Sequence, residues 1–395
     1  MKVLVANLGS TSFKYRLFDM TNEQQLARGG VERIGSPESD CFVEIGDQRH
    51  TLVAAVPDHA VAVRQCLDQL TDSQFGCLAD SSEVAAIGFK AVHGGSVSGV
   101  QRVTANVLEE MGKMNAVAPA HNPPYIAAMQ LLADKLPDIP LVAAFETGFH
   151  QSIPDRHRYY AIPKSWSDDF NIKRWGFHGA SHRYIGGRIA QILQRDDLRV
   201  VSCHLGGSSS LCAIRNGESV STSMGMSPQT GLPQNNRVGD FDAFALPLIM
   251  ERTGKSLTEA LDHIANQGGL LGMSGVSSDI RDIEEAAANG NADAQLALDV
   301  YVTDIRRHLG GMLVELGGAD VIVFTGGIGE NGEAIRANVC RDLTQLGIEL
   351  DATVNNAVAG GECKIDAESS RTEVWVVPTN EEIIVARQTK QALGN

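Results

Sequence analysis

The 395-residue sequence has no apolar run long enough to span a membrane, and no leader-like pattern precedes its first strand-like segment. A protein of the cytoplasm, without a membrane partner, is therefore expected. Basic residues are also short: 33 Lys and Arg face 48 Asp and Glu, a formal net charge of −15. That balance argues against nucleic acid as a partner, because its phosphates need a basic face. It leaves a nucleotide open, since a few local cations can hold one. The seven cysteines (Cys41, Cys66, Cys77, Cys203, Cys212, Cys340, Cys363) show neither C-x-x-C pairing nor metal-finger spacing. Reduced thiols follow from that. There is no low-complexity segment. What remains is a soluble small-molecule protein, long enough for two domains.

What the chain does have is one phrase written twice. Val3-Leu-Val-Ala-Asn7-Leu-Gly9-Ser10-Thr-Ser12-Phe-Lys14 returns as Val200-Val-Ser-Cys-His204-Leu205-Gly206-Gly207-Ser208-Ser209-Ser210. Each copy is a β-branched run, a polar residue, Leu-Gly, a small polar turn and a second apolar run. The pattern predicts a β-hairpin whose turn leaves backbone N–H groups open to an anion. Two such turns facing each other would grip one polyphosphate, so a duplicated phosphate clamp is the first expectation.

Along the chain the order is α/β. Strands are expected at Cys41–Ile45, His50–Ala54, Glu83–Phe89 and Ile139–Ala144, with helices near Asp58–Leu70 and from about Pro124 to Lys135. A boundary is expected near Gln151–Pro163. Beyond it the pattern gives helices near Asp242–Arg252, Leu257–Asn266, Ser278–Ala288 and Ala292–Leu316. A buried strand at Asp320–Phe324 runs into a glycine turn, Thr325–Asn331, and another helix, an arrangement that sets N–H donors beside a ligand. Val374–Val377 is the last strand, before a final helix.

Several motifs join this frame, each with a plain structural alternative. Lys90-Ala-Val92-His93-Gly-Gly puts a cation at a strand end, or is a turn with a surface lysine. His121-Asn-Pro-Pro is a ligand or a helix cap. Glu146 follows a strand, as a site acid or a solvated loop residue. Phe177-His178-Gly-Ala-Ser181-His182 frees the backbone around a histidine. Arg237-Val-Gly-Asp240 is an anion site or an ion pair, and Asp279-Ile280-Arg281 opens a helix as nucleotide contact or first-turn acid.

Taken in order, N-L-G-S-T-S-F-K, H-G-G, H-N-P-P, G-F-H-G-x-S-H, H-L-G, S-M-G, R-x-G-D, D-x-R, G-G-I-G-E-N and P-T-N-E-E resemble the acetate kinase and propionate kinase family over the whole chain. The resemblance implies an α/β, duplicated actin-like ATPase fold (ribonuclease H-like) with an interdomain active-site cleft. Its first domain would be 1–150, completed by a C-terminal helix of about 381–395. The second, 151–380, would carry the nucleotide site and the interface of a homodimer. It further implies reversible, Mg-ATP-dependent phosphorylation of acetate or propionate by direct in-line transfer. A butyrate or other-substrate kinase, or a non-catalytic nucleotide-binding relative, stays open as the alternative.

By resemblance, Asn7 and Glu381 hold Mg²⁺, with Mn²⁺ as a substitute, and ATP is the co-substrate. Glu146, His178 and Arg237 take the catalytic positions. Lys90, Val92, Ala120, His121, Phe177 and Pro228 bind the acid. Ser10, Ser12, Lys14, His204, Leu205, Gly206, Gly207, Ser208, Asp279, Ile280, Arg281, Gly327, Ile328, Gly329, Glu330 and Asn331 bind the nucleotide. The departures are specific to this chain. Lys90 stands for the family's arginine and Glu146 for its aspartate, an exchange in which a shorter cation and a longer acid compensate. Gly206-Gly207-Ser208-Ser209 replaces Gly-Asn-Gly-Ser, and Gly231–Asn236 replaces Gly-Leu-Met-Met-Gly-Thr. Ala120, where leucine is usual, widens the alkyl pocket; propionate is then expected to serve at least as well as acetate.

Overall fold

The computed structural model describes residues 1–9, 11–119 and 121–394. The chain forms two compact units: Met1–Gln151 together with the chain from Asn380 onward, and Ser152–Thr379.

The first unit is built on strands β1 (Lys2–Leu8), β2 (Phe13–Asp19), β3 (Gln24–Glu32), β4 (Ser39–Ile45), β5 (Gln48–Ala54), β6 (Val84–Ala91), β7 (Val100–Arg102) and β8 (Leu141–Phe145). Their order in the sheet is β5-β4-β3-β2-β1-β6-β8-β7. β1 runs antiparallel to β2 and parallel to β6, which is parallel to β8. Strands covered on both faces read as unbroken apolar runs. Val3, Leu4, Val5 and Ala6 are accordingly buried, as is all of β8, whereas the edge strand β5 alternates. The helix His59–Leu70 begins where the Asp58 side chain accepts the Val61 N–H, 2.9 Å away. The C-terminal helix Glu381–Ala392 lies on β6 so closely that a Cβ at Gly88 would fall 2.1 Å from Thr389 Oγ1. Glycine is required there.

The second unit repeats the central pattern with β9 (Arg199–His204), β10 (Ser210–Arg215), β11 (Glu218–Thr222), β12 (Val321–Thr325), β13 (Cys363–Lys364) and β14 (Glu373–Val376), ordered β11-β10-β9-β12-β14-β13. β9 runs antiparallel to β10 and parallel to β12, as β1 does with β2 and β6. Both repeated phrases are hairpins: Asn7 faces Lys14, and His204 faces Ser210. The helix Ala292–Leu316 is capped by Asn291 and Gly317 and buries Tyr301, Ile305, Leu309 and Met312.

Several elements were not expected, among them the helices Ala105–Lys113, Lys164–Phe170 and Gly269–Ser274; two departures bear on the site. The helix Gly179–Leu193 was not predicted, because Gly179, Gly186 and Gly187 dilute the apolar spacing of Ile185 and Ile189. The expected glycine turn is itself a short helix, Gly326–Asn331. It starts at Gly326, whose φ is +77° and whose Cβ would lie 2.6 Å from the Leu205 carbonyl oxygen. Glycine makes the sharp entry, and the chain then winds at once.

Candidate active site

In the first unit the polar residues singled out by sequence collect at the carboxyl ends of adjacent parallel strands. Ala6 of β1 pairs with Phe89 of β6, and Lys90 of β6 with Ala144 of β8. Asn7, Lys90 and Glu146 therefore sit at the ends of β1, β6 and β8, where ligands bind in parallel α/β sheets. Lys90 Nζ donates to Glu381 Oε2 at 2.5 Å, which ties β6 to the first turn of the C-terminal helix. Burial would lower the pKa of the Lys90 ammonium. Glu381 and then Glu146 outweigh it and hold that pKa well above the usual lysine value. Glu146 is 5% exposed and opens the 3₁₀ turn Glu146–Ser152, so it is no solvated loop residue.

Tyr125 was missed by sequence reasoning. Its hydroxyl donates to Asn7 Oδ1 at 3.0 Å and accepts the Leu8 N–H at 3.2 Å. The only signal was its place after His121-Asn-Pro-Pro. Lys14 is exposed and pairs with Glu32 at 3.1 Å. In the first turn the Gly9 N–H donates to the Ser12 carbonyl at 2.9 Å. Val92 and His121 are half-buried, and His121 makes no side-chain cap to the helix it precedes. The expected roles of Ser10 and Ala120 lie outside the described residues.

In the second unit the hairpin turn and the short glycine helix are stapled through Leu205. The Leu205 N–H donates to the Thr325 carbonyl, and the Leu205 carbonyl accepts the N–H groups of Ile328 and Gly329 at 2.9 and 3.0 Å. Gly206, Gly207 and Ser208 thus stand beside Gly327–Asn331. Asn331 Nδ2 donates to the Gly327 carbonyl, and Glu330 Oε1 accepts the Gly326 N–H. Arg336, 1% exposed, donates to the carbonyls of Gly329 and Glu330 and to both oxygens of Asn355. This buried guanidinium, also missed from sequence, clamps the short helix from below. Asp279 caps the helix Ile280–Ala288 and pairs with Arg281, whose hydrogen bonds hold its carboxyl down at about 2.

Arg237 makes no ion pair with Asp240. Asp240 accepts the Gly231 N–H and faces His308, while Arg237 Nη1 donates to Gln234 Oε1 at 3.1 Å, with Ser208 Oγ at 3.4 Å and the Pro228 carbonyl at 3.5 Å. Gln234, fully buried, also accepts from Ser208 Oγ at 2.6 Å and donates to Pro228. It lies in the stretch that departs from the family pattern. Sequence marked the departure without giving it a role: Gln234 links Ser208 of the second hairpin turn to Arg237. Phe177 and Pro228 are buried. His178, in left-handed backbone (φ 55°), contacts Ser210 Oγ through Nδ1 at 2.7 Å and stacks on His204 at 4.3 Å between ring centres.

Comparison with known proteins fits this arrangement. Residues 2–387 match the model of the acetokinase family. The chain is 40% identical to the acetate kinase of Bacillus subtilis over 98% of both chains, and 42% identical to that of Clostridium botulinum over 99% of both. Among solved structures, the acetate kinase of Porphyromonas gingivalis matches with a TM-score of 0.90 at 38% identity, covering 99% of each chain. A propionate kinase from Francisella tularensis matches at 0.89 and 31%, covering 98% of each. The two repeated units are those of the duplicated actin-like ATPase fold. The chain belongs to the acetokinase family.

Proposed function

We propose that this chain is a short-chain carboxylate kinase, moving the γ-phosphoryl group of ATP reversibly onto acetate or propionate. The observation that carries the reading is the ammonium of Lys90, set at a strand end among Asn7, Glu146 and Glu381. A carboxylate acceptor needs a cation to hold it and, being already ionised, needs no general base. The relatives' names, acetate kinase and propionate kinase, agree with that chemistry.

Asn7 and Glu381 offer amide and carboxylate oxygens, the hard donors that Mg²⁺ prefers. Among the described residues no group of three or more His, Cys, Asp or Glu could hold a metal unaided. Phosphate oxygens and water would complete the shell, the usual manner of Mg²⁺ beside a nucleotide. Bound there, the ion would neutralise phosphate charge. Lys90 orients the acid, and Glu146 orients Lys90. In the second unit His178 and Arg237 donate to the equatorial oxygens as the phosphoryl group passes in line, a stabilisation worth several kcal/mol when donors are preorganised. The turn Gly206–Ser208 and the helix Gly326–Asn331 hold the nucleotide, with Asp279–Arg281 beside it.

We also read the chain as a homodimer through its second unit. Phe244, Leu248, Leu257 and Leu261 are exposed there, Phe244 to 90%, on neighbouring short helices, and Phe241 is exposed just before the first of them. A cytoplasmic location is consistent with seven free cysteines and with described helices none of which is long and apolar enough to cross a membrane.

The test is acyl-phosphate formation with Mg-ATP, trapped by hydroxylamine, across formate, acetate, propionate, butyrate and glycerol. Product with acetate or propionate is expected. Product greatest with propionate supports the pocket widened by Ala120, and Ala120→Leu should then restore acetate preference. ATP binding without product from any acid would defeat the kinase reading.

A further inference from the structure

One hydroxyl bridges two histidines in the second unit. Ser210 Oγ lies 2.7 Å from His178 Nδ1 and 2.9 Å from His182 Nε2, and His182 Nδ1 continues to Ser202 Oγ at 2.9 Å. His182, Ser202 and Ser210 are fully buried. β9 and β10 supply the two serines in register, Ser202 facing Cys212 and Ser210 facing His204. The helix Gly179–Leu193 carries His182, four residues beyond His178 at its N-cap.

A hydroxyl has one proton, so toward these two rings Ser210 donates to one and accepts from the other. Two arrangements satisfy the chain while both rings are neutral. In the first, Ser202 donates to His182 Nδ1, His182 Nε2–H donates to Ser210, and Ser210 donates to His178 Nδ1; His178 then carries its proton on Nε2. In the second every bond is reversed, and both rings carry the proton on Nδ1. The two histidines are thus locked into the same tautomer, and neither can change without the other.

We propose that Ser210 and His182 are positioning residues that fix the tautomer of His178, so that its Nε2–H meets the transferring phosphoryl group as a donor. This rests on the reading of His178 as a phosphoryl contact. A phosphoryl oxygen is anionic; it is repelled by an Nε2 lone pair and held by an Nε2–H. Binding of the triphosphate therefore selects the first arrangement through to Ser202. The donor stands ready in a site that needs no reorganisation during transfer. Stacking on His204, whose Nδ1 meets Ser181 Oγ at 2.8 Å, keeps the His178 ring plane from turning.

The test is ¹⁵N NMR of the imidazole nitrogens at pH 8, where ordinary histidines are neutral, on the full-length protein with and without a non-hydrolysable ATP analogue. Both His178 and His182 are expected as Nε2–H tautomers in the complex. Opposite tautomers on the two rings would overturn the proposal, and this readout needs no mutant. In Ser210→Ala the His178 tautomer should become mixed and kcat should fall roughly 10–100-fold, as when an outer partner of a working histidine is removed, with the KM for ATP little changed. Ser210→Thr keeps the hydroxyl and should recover both. A single tautomer and undiminished kcat in Ser210→Ala would also overturn it. Shared tautomers with full activity in His178→Ala would refute the phosphoryl role of His178 while leaving the bridge standing.

Discussion

Lysine at position 90 is a point charge, where an arginine would present a planar fork. The structure shows how the point charge is placed: Glu381 takes it directly, and Glu146 bears on it from the end of β8. That arrangement gives a physical route for the compensation expected from sequence between a shorter cation and a longer acid. Lys90→Arg alone should crowd Glu146, and Glu146→Asp alone should leave the ammonium less well held. In a double-mutant cycle on kcat/KM for the acid, the pair is expected to couple by about 0.5–3 kcal/mol, each change partly rescuing the other. Strictly additive effects would show that the two exchanges are independent. The residue types were legible in the sequence. Which carboxylate Lys90 would choose was not.

Among the elements, the helix Gly326–Asn331 is too short to hold itself, and its first residue is a strained position open only to glycine. Arg336 supplies what the helix lacks, satisfying two of its last carbonyls from a fully buried guanidinium. Its pKa is lowered by burial, yet an arginine stays charged at neutral pH, so the carbonyls meet a full positive charge. Arg336→Met should cost about 3 kcal/mol in chemical denaturation, because Gly329, Glu330 and Asn355 all lose donors. It should also raise the KM for ATP more than it lowers kcat. Lost stability with an unchanged KM would make the clamp purely structural. Sequence periodicity located the strand and the glycines here, but it could not see that the glycine run winds into a helix. Glycine carries no side chain with which to mark a face.

At the scale of the molecule, the exposed apolar side chains around Phe244 are unusual for a chain so rich in acidic residues. Sedimentation should give a dimer for the native protein. The paired change Phe244→Glu and Leu248→Glu should yield monomers that remain folded, since both side chains are already at the surface. A native monomer would leave the patch unexplained and defeat the homodimer reading. The duplication itself was visible in advance from two copies of one phrase. Their equivalence as first strands, each with one antiparallel and one parallel neighbour, emerges only from the sheet order.

The sequence by itself determined the family, the repeated hairpin, the buried strands and the types of polar residue gathered at the candidate site. All of these depend on local pattern: β-branched runs, turn residues and short ordered motifs. Tertiary structure alone decided the partnerships. Lys90 meets a carboxylate 291 residues away, Tyr125 meets Asn7 across 118, and Ser210 joins two histidines from a helix that the pattern concealed. Such pairs form because strand register and helix docking bring distant side chains to one place. A buried polar group must then find its partner among whatever the fold delivers there.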